Sequence, residues 1–296
     1  MRRVVFVLIA ALFTVSIAAC RATPATLVPL PDAQPGTPFS ATATSTPRAA
    51  PTATPPICTE TTGKVINIDI PTAKLTRPVN TNLYLPPCYD PASTSGYPLL
   101  IMLHGQAALN DQWINLGLTN AADELIARGA IQPMLIAMPY EITWRLVPEQ
   151  SQYGNALIED LIPYIEENYA ACTNPQCRAI GGLSRGGNWA VYLGFQHPDL
   201  FNAIGAHSTP LFYNELRRIE ETADQVSSLG NLPRLYVDVG HKDTEKSKVL
   251  EFTDLLNALG ISYDYHEFEG RHEETYWSAH VQDYLRWYSE RLVIPR

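Results

Sequence analysis

The 296-residue chain contains 46% hydrophobic and 17% charged residues, a balance that supports a sizeable core and excludes a disordered protein. Its formal net charge of −9 disfavours nucleic acid and anionic lipid as partners, because both are themselves negative. The sequence has no recognisable metal-binding cluster, phosphate-binding loop or dinucleotide fingerprint, so we expect neither a metal nor a cofactor.

The first residues have the pattern of an export signal. Arg2 and Arg3 precede an apolar run over residues 4–19, which is too short to span a bilayer comfortably. Small residues lead directly into Cys20, as in a bacterial lipoprotein signal, although an ordinary signal peptide is the alternative. We therefore expect a signal peptide over residues 1–19 and lipidation of Cys20. The protein would then be exported and anchored to the outer face of a bacterial membrane.

Residues 20–57 are rich in Pro, Thr and Ala and show no hydrophobic periodicity. Such a segment cannot bury enough surface to fold, and its prolines keep it extended. We predict a linker here that lifts a domain, residues 58–296, off the membrane. A cleaved or merely tolerated linker is the alternative.

From Cys58 onward, two leading strands are followed by a regular alternation of strands and helices. Continuous apolar runs, rather than alternating ones, predict central strands that are buried on both faces of a parallel sheet. Strands are predicted over residues 64–70, 82–85, 98–103, 133–138, 203–206, 235–239 and 261–268, with another that starts at Arg178. Helices are predicted over 121–129, 155–169, 188–195, 215–227, 249–259 and 276–292. This order predicts one α/β domain with a doubly wound, mostly parallel sheet, helices on both faces and no large lid domain.

The central motif of the chain is Gly182-Leu183-Ser184-Arg185-Gly186, which lies between an apolar strand and a helix. It matches G-x-S-x-G, the sharp turn that presents a nucleophilic serine in α/β-hydrolases. Neighbours with large side chains would collide with the strand or the helix at such a turn. A five-residue match alone is weak, but the strand–turn–helix setting makes Ser184 the candidate nucleophile.

A serine of this kind needs a base and an acid that follow it in the chain, in the order Ser, acid, His. Asp243 lies in the loop after the strand over residues 235–239, and His272 follows the strand over 261–268. Both loops leave the sheet at the edge where Ser184 lies. We therefore predict Asp243 as the acid and His272 as the base.

Both predictions have rivals. Asp238 lies within a strand, where a carboxylate is more typical of structural hydrogen bonding, and Glu245 lies farther round the loop. For the base, His207 is expected to end a strand and could line the site, whereas the other histidines are expected to be packed, structural or on the surface. These are His104, His197, His241, His266 and His280.

The strand over residues 98–103 leads into His104-Gly105-Gln106, where α/β-hydrolases place one backbone donor of the oxyanion hole. The other donor is the N–H of the residue after the nucleophile. We therefore predict the backbone amides of Gln106 and Arg185 as the oxyanion hole. An ordinary turn at the end of the strand is the alternative for the first.

Four cysteines follow Cys20. An exported chain meets an oxidising compartment, which favours disulfides. Of the three possible connectivities we favour Cys58–Cys88 and Cys172–Cys177, although buried free thiols are an alternative for some of them.

Several segments together resemble the esterase family of α/β-hydrolases, which includes feruloyl and acetylxylan esterases, S-formylglutathione hydrolases and mycolyltransferases. The similarity covers about Val65 to the C-terminus. It is carried by the segments 84–90, 103–105, 180–187, 197–201, 240–243 and 270–272, together with residues 276–277. The family pattern implies the same triad of Ser184, Asp243 and His272. One departure is Gln106-Ala107-Ala108, where the family has a glycine-rich loop.

These observations predict an extracytoplasmic serine esterase that acts on a small-molecule ester or an acylated glycan. Two alternatives remain open at this point. The acyl group could pass to a hydroxyl other than water, which would make the protein an acyltransferase, or the domain could be an inactive module that binds glycans.

Overall fold

The computed structural model describes residues 58–211, 216–221 and 232–295. The predicted signal peptide, the lipidated Cys20 and the linker lie outside these residues. The predicted helix over 215–227 is described only at 216–221, which are helical.

Eight strands form one sheet in the order β1-β2-β4-β3-β5-β6-β7-β8. The strands are β1 (Lys64–Ile70), β2 (Val79–Leu85), β3 (Leu99–Leu103), β4 (Leu135–Pro139), β5 (Arg178–Leu183), β6 (Ala203–His207), β7 (Arg234–Gly240) and β8 (Asp264–Phe268). Strand β2 is antiparallel to β1 and β4, and all other neighbouring strands are parallel. The carboxyl ends of β3 and β5 to β8 therefore lie along one edge of the sheet.

Helices pack on both faces of the sheet, so the central strands are enclosed. They are α1 (Gln112–Asn115), α2 (Leu118–Ala127), α3 (Tyr153–Ala156), α4 (Ile162–Asn168), α5 (Arg185–Gln196), α6 (Lys246–Ala258) and α7 (Glu274–Arg291). All residues of β3, β4, β5 and β6 are buried, as their continuous apolar runs predict. The predicted α/β fold is confirmed, and no large lid lies among the described residues.

Three boundaries of helices and strands differ from the prediction. Helix α5 starts at Arg185, immediately after the serine, rather than at Asn188. A π-helical turn, Leu157–Leu161, separates α3 from α4 just before Pro163, a residue that has no N–H to donate. Strand β8 starts at Asp264 rather than Ile261, because the Ile261 N–H donates back to the end of α6 at Leu256 O.

Both favoured disulfides are present. Cys58 is bonded to Cys88, which ties the start of the domain to the end of β2, and Cys172 is bonded to Cys177 just before β5. None of the described helices combines the length and the apolar character needed to cross a bilayer.

Candidate active site

Ser184 lies on a strained turn between β5 and α5. Its φ of 50° and ψ of −116° are outside the regions that non-glycine residues normally occupy. The turn is held by the Ser184 N–H, which donates to His207 O of the neighbouring strand at 2.8 Å. This conformation projects the serine at the carboxyl edge of the sheet, as the G-x-S-x-G motif predicts.

The glycines around the serine allow close backbone packing. A Cβ atom at Gly182 would overlap the backbone of Gly186, and one at Gly186 would overlap Leu103 O of β3. A Cβ at Gly187 would overlap the Thr209 hydroxyl. The first turn of α5 therefore lies directly against the end of β3, and a side chain at Gly186 would push the two apart.

The structure brings Ser184, His272 and Asp243 together. The Ser184 Oγ lies 2.9 Å from His272 Nε2, and His272 Nδ1 lies 3.1 and 3.0 Å from the two carboxylate oxygens of Asp243. Because the carboxylate only accepts hydrogen bonds, it favours the tautomer with a proton on Nδ1. The Nε2 atom is then free to accept the serine proton.

Asp243 is held in its ionised form. Burial of its carboxylate would by itself raise the pKa, but hydrogen bonds from His272 and from the backbone N–H of Glu245 outweigh burial. The pKa of Asp243 is therefore below its ordinary value. The Glu245 N–H lies 2.7 Å from Asp243 Oδ1 and fixes the orientation of the carboxylate.

The two loops that carry the acid and the base are bonded to each other. The Lys242 N–H donates to Gly270 O at 2.9 Å, and a Cβ at Gly240 would lie only 2.7 Å from the same oxygen. The His272 ring also packs edge-on against Trp277, with the ring centroids 5.1 Å apart and the planes at 85°. These contacts limit the movement of the imidazole relative to Asp243.

The backbone N–H groups of Gln106 and Arg185 have no acceptor among the described residues, and neither do those of Ala107, Gly186 and Gly187. The preceding amide of each pair is occupied: the Gly105 N–H donates to Gln112 Oε1 at 2.8 Å, and that of Ser184 donates to His207 O. Both amides that the sequence predicts as an oxyanion hole are therefore unpaired.

The alternative candidates for the acid and the base form hydrogen bonds with other residues. Asp238 is fully buried and accepts hydrogen bonds from Tyr276, Tyr284 and the His207 ring, so it is held in a structural network. The expectation that His207 could line the site is wrong. Its ring is fully buried beneath the site, where Nδ1 bonds to Asp238 and Nε2 to the Tyr288 hydroxyl.

The other candidate carboxylates and histidines also contact other groups and not the Ser184 hydroxyl. The Glu245 carboxylate pairs with Lys248, and the ring of His104 bonds to backbone groups of Gly105 and Glu141. His241 bonds to Glu267 on the surface, and His280 stacks against Phe268.

Sequence reasoning missed Glu141 and Gln112. Glu141 lies two residues beyond β4, is 2% exposed, and pairs with the guanidinium of Arg185. Gln112 accepts the Gly105 N–H from seven residues away. The only signal in the sequence for Glu141 is a carboxylate that closely follows an apolar strand at the edge where Ser184 lies.

Among the described residues, Cys58, Glu60 and Cys88 are the one group whose ligand atoms lie close enough together for a metal. Their two sulfur atoms are bonded to each other, so they do not offer thiolates. This group lies at the start of the domain and not beside Ser184.

The chain is similar to known proteins in both sequence and fold. The profile of the family described as "Putative esterase" matches residues 72–288. A curated relative, "Endo-1,4-beta-xylanase/feruloyl esterase" of Xylanibacter ruminicola, is 25% identical over 209 residues, which are 66% of this chain and 27% of the relative. The chain thus corresponds to about a quarter of that longer protein.

Solved structures of feruloyl esterases share the fold. A ferulic acid esterase superimposes with a TM-score of 0.70 at 23% identity, over 78% of this chain and 99% of the other. A serine-to-alanine mutant of the feruloyl esterase module from Clostridium thermocellum, complexed with sinapinate, gives 0.68 at 18% identity, over 80% and 91%. Because the family profile covers most of its length and the fold is shared, the chain belongs to this esterase family of α/β-hydrolases.

Proposed function

We propose that this protein is an extracytoplasmic esterase that uses Ser184, His272 and Asp243 as a catalytic triad. The observation that carries the proposal is the continuous chain of hydrogen bonds from Ser184 Oγ through the His272 ring to Asp243. The mechanism is acyl transfer through a covalent intermediate, as for other triads of this geometry.

In the first half-reaction, Ser184 Oγ attacks the ester carbonyl carbon and its proton passes to His272 Nε2. Asp243 stabilises the imidazolium that forms, and the negative oxygen is bound by the N–H groups of Arg185 and Gln106. The C–O bond of the ester then breaks, and His272 gives its proton to the leaving alcohol. Water, activated by His272, repeats the sequence on the acyl-enzyme and releases the acid and free Ser184.

The proposed substrate class is an aromatic acyl ester of a carbohydrate. The names of the relatives, a xylanase/feruloyl esterase and a ferulic acid esterase, support this class. Three of the six large apolar side chains that are exposed among the described residues are Leu109, Leu146 and Val147. They lie on the loops after β3 and β4, and Leu146 O bonds to the Arg185 side chain, so apolar surface is available near Ser184.

The export signal and lipid anchor remain part of the proposal. Two disulfides support an oxidising compartment, because structural disulfides are rare in the bacterial cytoplasm. Metabolic labelling with a radioactive fatty acid tests the anchor: Cys20→Ala should abolish incorporation, and equal incorporation by both proteins would contradict it.

Ser184→Ala tests the triad. We expect kcat to fall by about 10⁶, because the residues of a triad act as a unit. The assay compares acetyl, butyryl, feruloyl and S-formyl substrates. Ser278→Ala serves as the control because the Ser278 hydroxyl donates to Leu116 O and is not part of the triad. A fluorophosphonate should label wild type and the control but not Ser184→Ala. Parental activity in Ser184→Ala would refute the proposal, and acyl products formed with added alcohols would redefine the enzyme as an acyltransferase.

A further inference from the structure

The side chain of Arg185 is held by a buried carboxylate. Its Nε and Nη2 atoms donate to the two oxygens of Glu141 at 2.8 and 2.6 Å, and Nη2 also donates to Leu146 O at 2.6 Å. The Glu141 side chain is 3% exposed and that of Arg185 is 10% exposed. This bidentate salt bridge connects Arg185, the first residue of α5, to the segment that follows β4.

Glu141 is also connected to the other half of the oxyanion hole, through the ring of His104. Its backbone N–H donates to His104 Nε2 at 2.9 Å, and His104 Nδ1 donates to Gly105 O at 2.8 Å. The neutral ring satisfies both bonds at once, and burial lowers the pKa of His104, which keeps it neutral.

The bond to Gly105 O fixes the direction of the Gln106 amide. The carbonyl of Gly105 and the N–H of Gln106 belong to one planar peptide unit, so the direction of the first determines that of the second. The Ala108 N–H donates to the same carbonyl at 3.2 Å and supports this orientation.

We propose that Glu141 is a positioning residue that aligns both donors of the oxyanion hole, one through its carboxylate and one through its backbone. This inference rests on the proposed function, since it concerns the same reaction. A buried ion pair is weak evidence for stability, because desolvation offsets most of the attraction. An effect on the alignment of donors is different, because an oxyanion hole acts only when its amides lie 2.7–3.1 Å from the developing charge.

Glu141→Gln and Arg185→Lys test the proposal in the full chain. Glutamine keeps the size and the backbone of Glu141 but removes the negative charge and one of the two acceptor oxygens of the ion pair. Lysine keeps the charge of Arg185 but cannot donate two parallel hydrogen bonds. We expect kcat to fall about 10- to 100-fold in Glu141→Gln, less than for outright removal of a donor, with KM within about twofold. Arg185→Lys should lose kcat to a smaller extent.

The matched control is Glu166→Gln. Glu166 pairs with Arg178, whose side chain is 4% exposed and which begins the same strand, β5, at the end opposite Ser184. This substitution also breaks a buried ion pair, so it reports the cost to stability without touching the site. Its kcat should equal that of wild type.

The affinity for a trifluoromethyl ketone inhibitor provides a second measurement, which a loss of protein stability alone would not change. Ser184 Oγ adds to its carbonyl carbon, the serine proton moves to His272, and the resulting negative oxygen lies in the hole. Its affinity should fall in Glu141→Gln by the same factor as kcat, whereas Glu166→Gln should bind it like wild type.

The outcomes are distinguishable. If wild type hydrolyses no ester and is not labelled by a fluorophosphonate, the proposed function fails. If wild type is active but Glu141→Gln and Arg185→Lys keep parental kcat and inhibitor affinity, the positioning role is refuted. If Glu141→Gln does not fold, Arg185→Lys decides by the same two measurements.

Discussion

The buried carboxylates of Asp243 and Asp238 lie close to the site, and we expect their substitution to have opposite effects. Asp243 faces His272, whereas Asp238 lies beneath the site among His207 and the tyrosines of α7. We predict that Asp243→Asn removes activity with a small loss of stability, and that Asp238→Asn removes stability while the folded fraction stays active.

The cost at Asp238 follows from its partners. Its oxygens lie 2.7 Å from His207 Nδ1, 2.6 Å from the Tyr276 hydroxyl and 3.0 Å from the Tyr284 hydroxyl. Burial and the negative charge of Asp238 raise the pKa of both tyrosines, so the phenols stay protonated and donate. An asparagine would place an NH₂ group opposite at least one donor. Breaking such a buried charged network costs about 3–5 kcal/mol, which for a domain of this size lowers Tm by about 6–20 °C.

The substitution Asp243→Asn mainly lowers the rate of the reaction. An asparagine amide that donates to His272 Nδ1 would force the proton onto Nε2, which could then no longer accept the proton of Ser184. In another enzyme with a triad, this exchange lowers kcat by about 10⁴, and we expect a similar factor here. The loss of stability should be about 1–2 kcal/mol, because the amide oxygen can still accept the Glu245 N–H.

Thermal unfolding and ester hydrolysis, both measured on the two variants, separate the roles. Activity is assayed well below the lower Tm and divided by the folded fraction. The reasoning would be refuted if Asp238→Asn lost kcat at an unchanged Tm while Asp243→Asn remained active, since Asp238 would then be the acid.

Two further predictions concern the same edge of the sheet. Gly186→Ala should lower kcat about 100-fold, because a methyl group would displace Leu103 O and with it the oxyanion loop; parental kcat measured with a feruloyl ester would contradict this. The pKa of Asp243 is lowered by folding, so its contribution to stability is complete above about pH 4 and is lost as the pH falls through the lower folded value. In urea unfolding, the advantage of wild type over Asp243→Asn should therefore shrink toward about pH 3, and a difference that is independent of pH would contradict it.

The sequence predicts the parts of the site that follow directly from the order of strands. Ser184 and Asp243 come after apolar strands, His272 comes after the edge strand β8, and parallel strands place their carboxyl ends at one edge of the sheet. The same logic leads to Gln106 after β3. These residues are therefore predictable, because each needs only a strand recognised in the sequence and the rule that parallel strands end at the same edge of the sheet.

The buried networks could not be predicted in this way. Asp238 and His207 meet tyrosines from the last helix, 38 to 81 residues farther along the chain. The aromatic side chains of α7 share one buried face, which its periodicity predicts, but the periodicity does not say which buried polar group each hydroxyl meets. Tyr288 illustrates the point: its hydroxyl lies where Cβ atoms at Gly181 and Gly205 would otherwise be, so both glycines are required by a distant side chain.

The distribution of backbone strain connects the fold to the proposed chemistry. Four non-glycine residues have positive φ among the described residues, and three of them, Ala107, Ser184 and Ser208, lie just beyond the carboxyl ends of β3, β5 and β6. Ala107, with φ of 62°, adopts a left-handed conformation that normally favours glycine. Such a conformation costs an alanine about 1 kcal/mol and persists only when the surroundings impose it. Here Gln112 and His104 bind the preceding peptide units, so the loop is held by side chains rather than left mobile. An oxyanion donor that is fixed before the substrate arrives requires no reorganisation during the reaction, and this is the condition under which such donors are most effective.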